Sequence, residues 1–186
     1  MILPTAYLAP TSWFRDYLRE PATFEVIETF EKQTFRNRCL IHDKQGQVVR
    51  LTVPVAHVEH KQFTQDIRIS YQQRWQHQHW MALVSAYEHT PYFDYYADYF
   101  RPFYEHEIPY LIDLNEGLTE VIDTLLHNNV PNPSHLLSHQ EDSDKRGSIW
   151  HGLTWTDSHP WQSEISIVDA LFEHGPSLIA DLLPAQ

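Results

Sequence analysis

The sequence is short of cysteine and glycine. Of its 186 residues one is cysteine, Cys39, and five are glycine, against 12 prolines. A single cysteine excludes an internal disulfide and favours a reducing compartment. Few glycines among many prolines predict short, stiff loops rather than flexible linkers.

Long apolar runs are also missing. The first ten residues, MILPTAYLAP, are apolar, but they lack a basic leading segment and are interrupted by Pro4 and Pro10. They make a poor signal peptide and are far shorter than the roughly 20 residues that cross a bilayer. We therefore expect a cytoplasmic protein without membrane insertion.

Positive charge is scarce as well, with 13 lysines and arginines against 25 acidic residues and a net charge of -12. This balance argues against nucleic acid or an anionic membrane as a general partner. Residues 32–74 are the exception, because they hold eight basic and three acidic side chains, a net charge of +5 that leaves -17 for the remainder. A basic island in an acidic chain predicts one local anionic ligand.

What the sequence does have is enough apolar material for one core. It is 42% hydrophobic and 13% aromatic, which predicts a single domain over residues 1–186. A strand at 2–7, a proline loop, the helix SWFRDYLRE and the strand TFEVIETF form the first half of a βαβ unit. We predict an α/β fold, with α+β as the alternative, in which helices flank a mixed sheet. A polar segment rich in proline, serine and histidine at about 127–161 predicts a loop-rich insertion.

Helical spacing of apolar residues marks the second half of the chain. It occurs in WQHQHWMALVSAYEH, in YFDYYADYFRPFYE and at about 109–126. A last helix is predicted to open at Ser166, where Asp169 completes a capping-box pattern, and to stop at Gly175.

Three predicted strands carry arginine opposite their apolar residues: FRNRCLI, VVRLTVPV and DIRISY. Arg36, Arg38 and Arg68 would then share a polar sheet surface, and a guanidinium suits phosphate or carboxylate. The alternative is a plain solvated sheet face.

Two amides stand beside these arginines. Asn37 falls on the apolar side of its strand, so if buried it must find hydrogen-bond partners. Gln33 and Asn37 could orient a ligand, although a structural role remains open. The strand-to-helix junction LAPTS is a second candidate anion site, because a helix N-terminus offers free N–H groups.

The 13 histidines invite a metal-site interpretation. His135 and His139 have helical spacing, but no glutamate lies beside them and no third ligand is evident, so we predict no metal. His79, between Trp75 and Leu83 on a helix, is either a satisfied core residue or a general base. The sequence identifies no cofactor and no oligomeric state.

Several blocks together resemble a known family. EKQTFRNRCLI, LTVPV, DIRISYQQRWQHQHWMALVSAYEHTPYFDYYADYF and SEISIVDALFEHGP are similar, in order and spacing, to the WbqC-like protein family in its short form from Bacteroidota. The opening AYLAPTSWF matches more loosely. The glutamine-proline pair and the late Gly-Pro-Ser-Gly block of longer members are missing.

The resemblance implies a role in the biosynthesis of O-antigen and other surface polysaccharides, and a glycine-transferring role has been suggested for some members. On this basis we expect a bacterial transferase that acts on an anionic or activated sugar intermediate. Gln33, Arg36, Asn37, Arg38 and Arg68 would bind this substrate, with His79 as the catalytic base. The alternative is a non-catalytic binding or scaffold protein of the same pathway.

Overall fold

The computed structural model describes residues 2–19, 23–25, 27, 29–58, 62–127 and 164–183. The loop-rich insertion predicted at about 127–161 lies outside these residues, apart from position 127. Strands β1 to β4 span Ile2–Pro4, Thr23–Glu25, Arg38–His42 and Val48–Thr52. Helices α1 to α6 span Thr11–Arg19, Trp75–Tyr87, Phe93–Glu105, Leu111–Leu126, Ile167–His174 and Leu178–Leu182. None of the helices in this part of the chain is long and apolar enough to cross a membrane.

The strands form two pairs. β1 and β2, which precede and follow α1 in the sequence, pair with each other in parallel, as the predicted βαβ opening requires. β3 and β4 form an antiparallel pair. In the second pair Arg38 lies opposite Thr52, Leu40 opposite Arg50 and His42 opposite Val48. The helices and the two kinds of strand pairing confirm the predicted α/β class, although in the described part of the chain the parallel and antiparallel pairs are two separate sheets rather than one mixed sheet.

Several predicted strands differ in extent: the strand expected at 2–7 ends at Pro4, and the strand VVRLTVPV ends at Thr52. The strand expected from Phe35 begins only at Arg38, because the preceding residues form a turn in which the Asn37 N–H bonds the Thr34 carbonyl at 3.1 Å. The expected strand DIRISY makes only isolated bridges, from Arg68 to Tyr110 and from Ile69 to Val55. Its residues bridge to two different segments, at Tyr110 and at Val55, so no regular ladder of hydrogen bonds forms along it.

The helices follow their apolar spacing. On α3 the predicted stripe of Phe93, Tyr96, Phe100 and Phe103 is buried. On α2 the buried stripe is instead Trp75, His79, Leu83 and Tyr87, with Trp80 and Val84 only half-buried. The core therefore lies between α2, α3 and α4, and it is closed by α5 and α1.

Helix α5 has the predicted ends but not the complete predicted cap. The Ser166 side chain accepts from the Val168 N–H, and Gly175 terminates the helix with φ +57°. The Asp169 carboxylate does not turn back to the Ser166 N–H, which instead donates to the Leu40 carbonyl at 2.7 Å. Asp169 bonds to His42 and Tyr87, so half of the capping box is used to join α5 to β3 and α2.

Helix α4 carries a carboxyl group whose titration should be visible in stability. Burial, and then the charge of Asp113, raise the pKa of Glu116 to about 7. Folding therefore favours the protonated form. The stabilisation that comes from keeping the Glu116 carboxyl protonated is complete below the ordinary glutamate pKa, and it is lost as the pH rises through 7.

Replacing Glu116 by glutamine should raise the free energy of unfolding at pH 8 by about 1–2 kcal/mol, since the side chain keeps some solvent contact. At pH 4 the variant and the wild type should be equally stable. Urea unfolding at both pH values measures the difference, with the exposed Glu120→Gln on the same helix as the control. An equal gain at both pH values would contradict the titration explanation.

Candidate functional site

One pocket collects side chains from distant parts of the sequence. Its walls are Leu8 and Pro10 from the loop before α1, residues 33–35 from the turn before β3, residues 38–40 of β3, and Glu164 with Ser166 at the start of α5. It holds about 300 Å³ including space open to solvent. The enclosed part has room for about one or two water molecules. Only one small group of a ligand fits inside, and the rest must lie on the open surface.

Backbone strain is concentrated in this pocket. Leu8, with φ +43°, and Gln33, with φ +65°, are the non-glycine residues with positive φ in the described part of the chain. Both line the pocket. Such conformations cost energy and are typical of ligand-binding loops. The strain marks the pocket independently of its charge.

Asn37 holds the strained turn in place. It is buried; its Oδ1 accepts from the Gln33 N–H at 3.0 Å and its Nδ2 donates to the Val53 carbonyl at 2.9 Å. The amide thus finds the hydrogen-bond partners that burial requires. It fixes Gln33 at the pocket without lining the pocket itself.

The three predicted arginines do not meet at one point. Arg38 lines the pocket, and its Nε donates to Thr52 Oγ1 at 3.2 Å. Burial, and then the charge of Arg50, lower the pKa of the Arg38 guanidinium. A cation held in that environment is suited to a negative group.

Arg36 and Arg68 lie elsewhere. Arg36 was expected on the polar face of the strand, but it precedes β3 and is buried, with 6% of its surface exposed. Its guanidinium lies 5.0 Å from the centre of the Phe35 ring, and its carbonyl accepts from Asn115. Arg68 is exposed and stacks on Tyr110 at 4.6 Å. The prediction of a common arginine surface is therefore wrong in its geometry, because residues 33–37 form a turn and residues 67–71 form no strand.

His79 is enclosed in the core. Its Nδ1 lies 2.9 Å from the Tyr7 hydroxyl, which lies 2.9 Å from the Tyr104 hydroxyl. Burial lowers the pKa of His79 to about 4, so the imidazole is neutral near pH 7. It does not line the pocket, and its surroundings give the general-base prediction no support.

The junction LAPTS does reach the pocket, through Leu8 and Pro10. At the start of α1, however, Ser12 Oγ donates to the carboxylate of Glu164. The carboxylate of Glu164 thus occupies the helix start where an external anion was predicted to bind. Arg38 remains the cationic side chain in the pocket wall. Cys39 also lines the pocket, and burial raises its pKa, so its thiol is protonated.

Sequence reasoning named Leu8 only as part of the junction LAPTS, and it did not single out Glu164, which lies in the block SEISIVDALFEHGP. Both residues reach the pocket through tertiary contacts. Among the residues that the structure describes, no group of three or more histidine, cysteine, aspartate or glutamate side chains could hold a metal ion.

The geometry defines an α/β protein with a narrow polar pocket between a βα loop and an antiparallel strand pair. A model of the WbqC-like protein family matches residues 23–146, about two thirds of the sequence. The chain belongs to this family, as the resemblance of its blocks implied. No curated protein and no solved structure matches. The match includes Gln33 and Arg38, whereas Leu8 and Glu164 fall outside it.

Proposed function

We propose that the protein is a cytoplasmic transferase of surface-polysaccharide biosynthesis that binds the phosphate of an activated sugar intermediate. The observation that carries the proposal is the pocket in which Arg38 meets Gln33 and Leu8, the residues with strained backbones. Membership of the WbqC-like family supports the polysaccharide role. The basic segment 32–74, which contributes Arg38 to the pocket, supports an anionic substrate in an otherwise acidic chain.

Within this proposal Arg38 binds the phosphate and the exposed Gln33 contacts the ligand beside it. Arg36 and Asn37 act indirectly, because both are buried in the turn that presents Gln33 and Arg38. The narrow enclosed space has room for the oxygens of one phosphate but not for the groups attached to it. The sugar and its nucleotide would extend over the open face of β3 and β4.

Replacing Arg38 by alanine should weaken binding of UDP-glucose or UDP-N-acetylglucosamine by about 10–100-fold, the value of a charge-assisted hydrogen bond. Isothermal titration calorimetry on the full chain measures the affinity. Arg101→Ala, an exposed arginine on α3 that pairs with Asp98, is the matched control and should bind as the wild type does. Equal affinity in the Arg38 variant, or no binding by the wild type, would refute the proposal.

A further inference from the structure

An imidazole, a carboxylate and a phenol are linked at the end of β3. His42 Nδ1 lies 2.5 Å from Asp169 Oδ2, and the hydroxyl of Tyr87 donates to Asp169 Oδ1. The backbone N–H of His42 also donates to Oδ1, at 3.2 Å. Burial, and then the charge of Asp169, raise the pKa of Tyr87 far above its ordinary value. Its hydroxyl therefore stays protonated and acts as a donor.

These contacts determine which nitrogen of His42 carries the hydrogen. An ionised carboxylate only accepts hydrogen bonds, so Nδ1 must be the donor to Asp169. In the neutral ring Nε2 then keeps its lone pair. Within the described residues no other group bonds to the imidazole, and 41% of the His42 side chain is exposed. The lone pair is thus available to a molecule from solution.

The imidazole is on the same strand face as two of the three β3 residues that line the pocket. Arg38, Leu40 and His42 alternate along one side of β3, and Arg38 and Leu40 line the pocket. Residues two apart on a strand are about 6.6 Å apart, so His42 lies one such step from Leu40. On β4, Arg50 is opposite Leu40 and therefore on this face as well.

Arg38 and Arg50 place two positive charges on this face, while the Glu164 carboxylate that lines the pocket accepts from Ser12. The charge of Arg50 contributes to lowering the pKa of Arg38. Neither arginine forms an ion pair with the residues that the structure describes. A phosphate between the two guanidiniums would remove their repulsion, and a group attached to it would extend toward His42.

We propose that His42 is the general base of this site, with Asp169 and Tyr87 as positioning residues and with Arg50 joining Arg38 on the substrate phosphate. The inference rests on the proposed function and adds to it the residue that removes the proton. His42 Nε2 takes the proton from the acceptor hydroxyl or amine as that atom forms a bond to the sugar carbon bearing the phosphate. The bond from this carbon to the phosphate oxygen breaks, and the phosphate leaves with the electron pair on Arg38 and Arg50.

Asp169 stabilises the imidazolium that results, as a carboxylate does in catalytic triads. The proton then passes to solvent from the exposed ring. Charge therefore balances at each step, since the base gains the positive charge while the leaving group gains the negative one.

A purely structural role for the same contacts makes different predictions. His42 and Asp169 also join β3 to α5, so removing the side chain could simply loosen the fold. His42→Asn separates the two roles, because the asparagine amide can replace Nδ1–H as the donor to Asp169 but has nothing in place of Nε2. The variant should unfold at the wild-type midpoint.

The test treats the full chain with diethyl pyrocarbonate, which acylates an unprotonated imidazole nitrogen. Peptide mass spectrometry then measures how far each histidine is modified. UDP-glucose, UDP-N-acetylglucosamine and inorganic phosphate are the ligands, and their binding is measured in parallel by calorimetry. We expect a bound sugar nucleotide to protect His42 and to leave the exposed His77 on α2 unprotected, whereas inorganic phosphate should bind without protecting His42. Arg50→Ala should abolish the protection.

Release of UDP from the sugar nucleotide, with water as the acceptor, should fall by about 10²–10⁴-fold in His42→Asn. Ligand affinity should be unchanged, and His77→Asn should behave as the wild type does. A sugar nucleotide that binds without protecting His42, a wild type that binds it without releasing UDP, or full release by His42→Asn overturns the base assignment and leaves the binding proposal intact. If none of the ligands binds, the proposed function fails and the inference fails with it.

Discussion

Replacing Gly175 by alanine should reduce the free energy of unfolding by about 2–5 kcal/mol, the sum of backbone strain and overpacking. Gly175 has φ +57° and ψ -140°, a conformation that only glycine adopts readily. An added Cβ would lie 2.4–2.6 Å from three atoms of the Tyr92 ring. That ring stacks on Tyr96, and the Tyr92 N–H bonds the Phe172 carbonyl, so it cannot move away without other losses.

The matched control for this substitution is Gly46→Ala. Gly46 also has positive φ, +75°, but no atom lies within 4 Å of an added Cβ. It should cost about 1 kcal/mol through backbone strain alone. Urea unfolding of the two variants separates strain from the clash, and equal losses in both would show that Tyr92 yields.

Replacing Phe172 by alanine should destabilise the fold by about 3–5 kcal/mol, the usual cost of removing a buried aromatic ring. Phe172 is 1% exposed, and its ring centre lies 5.1–5.4 Å from those of Tyr87, Phe93 and Phe100. It therefore joins α5 to both α2 and α3. Asp169, which bonds to His42, lies one turn earlier on α5. We therefore also expect a bound sugar nucleotide to stop protecting His42 in this variant, even at temperatures where the variant is still folded.

Thermal and urea unfolding measure the first effect, with Tyr95→Ala as the control. Tyr95 is on α3 with 74% of its surface exposed, and its loss should change stability by no more than about 0.5 kcal/mol. A Phe172 variant no less stable than the Tyr95 variant would show that α5 contributes little to the core.

The sequence predicted the parts of the fold that local patterns determine. The stripe of Phe93, Tyr96, Phe100 and Phe103 identified α3 because burial on one side of a helix repeats every three or four residues. Ser166 and Gly175 marked the ends of α5 because caps require particular side chains or positive φ. Asn37 was recognised as a residue that needs partners, since an amide on an apolar face must be satisfied.

The parts that failed depend on contacts between distant residues. Arg36 could not be distinguished from Arg38 by alternation, because its burial follows from the turn at 33–37 and from Asn115 on α4. His42 and Asp169 are 127 positions apart. No local pattern links them, and the capping-box pattern gave Asp169 a different partner.

The walls of the pocket come from segments more than 150 positions apart in the chain, from Leu8 to Ser166. The unfolded polypeptide therefore cannot offer the same cavity, and a molecule that occupies it selects the native state. By mass action, each tenfold increase in ligand concentration above the dissociation constant adds about 1.4 kcal/mol to the free energy of unfolding. The melting temperature therefore rises with ligand concentration. A differential scanning fluorimetry screen of sugar phosphates could thus identify the natural substrate before any turnover assay exists.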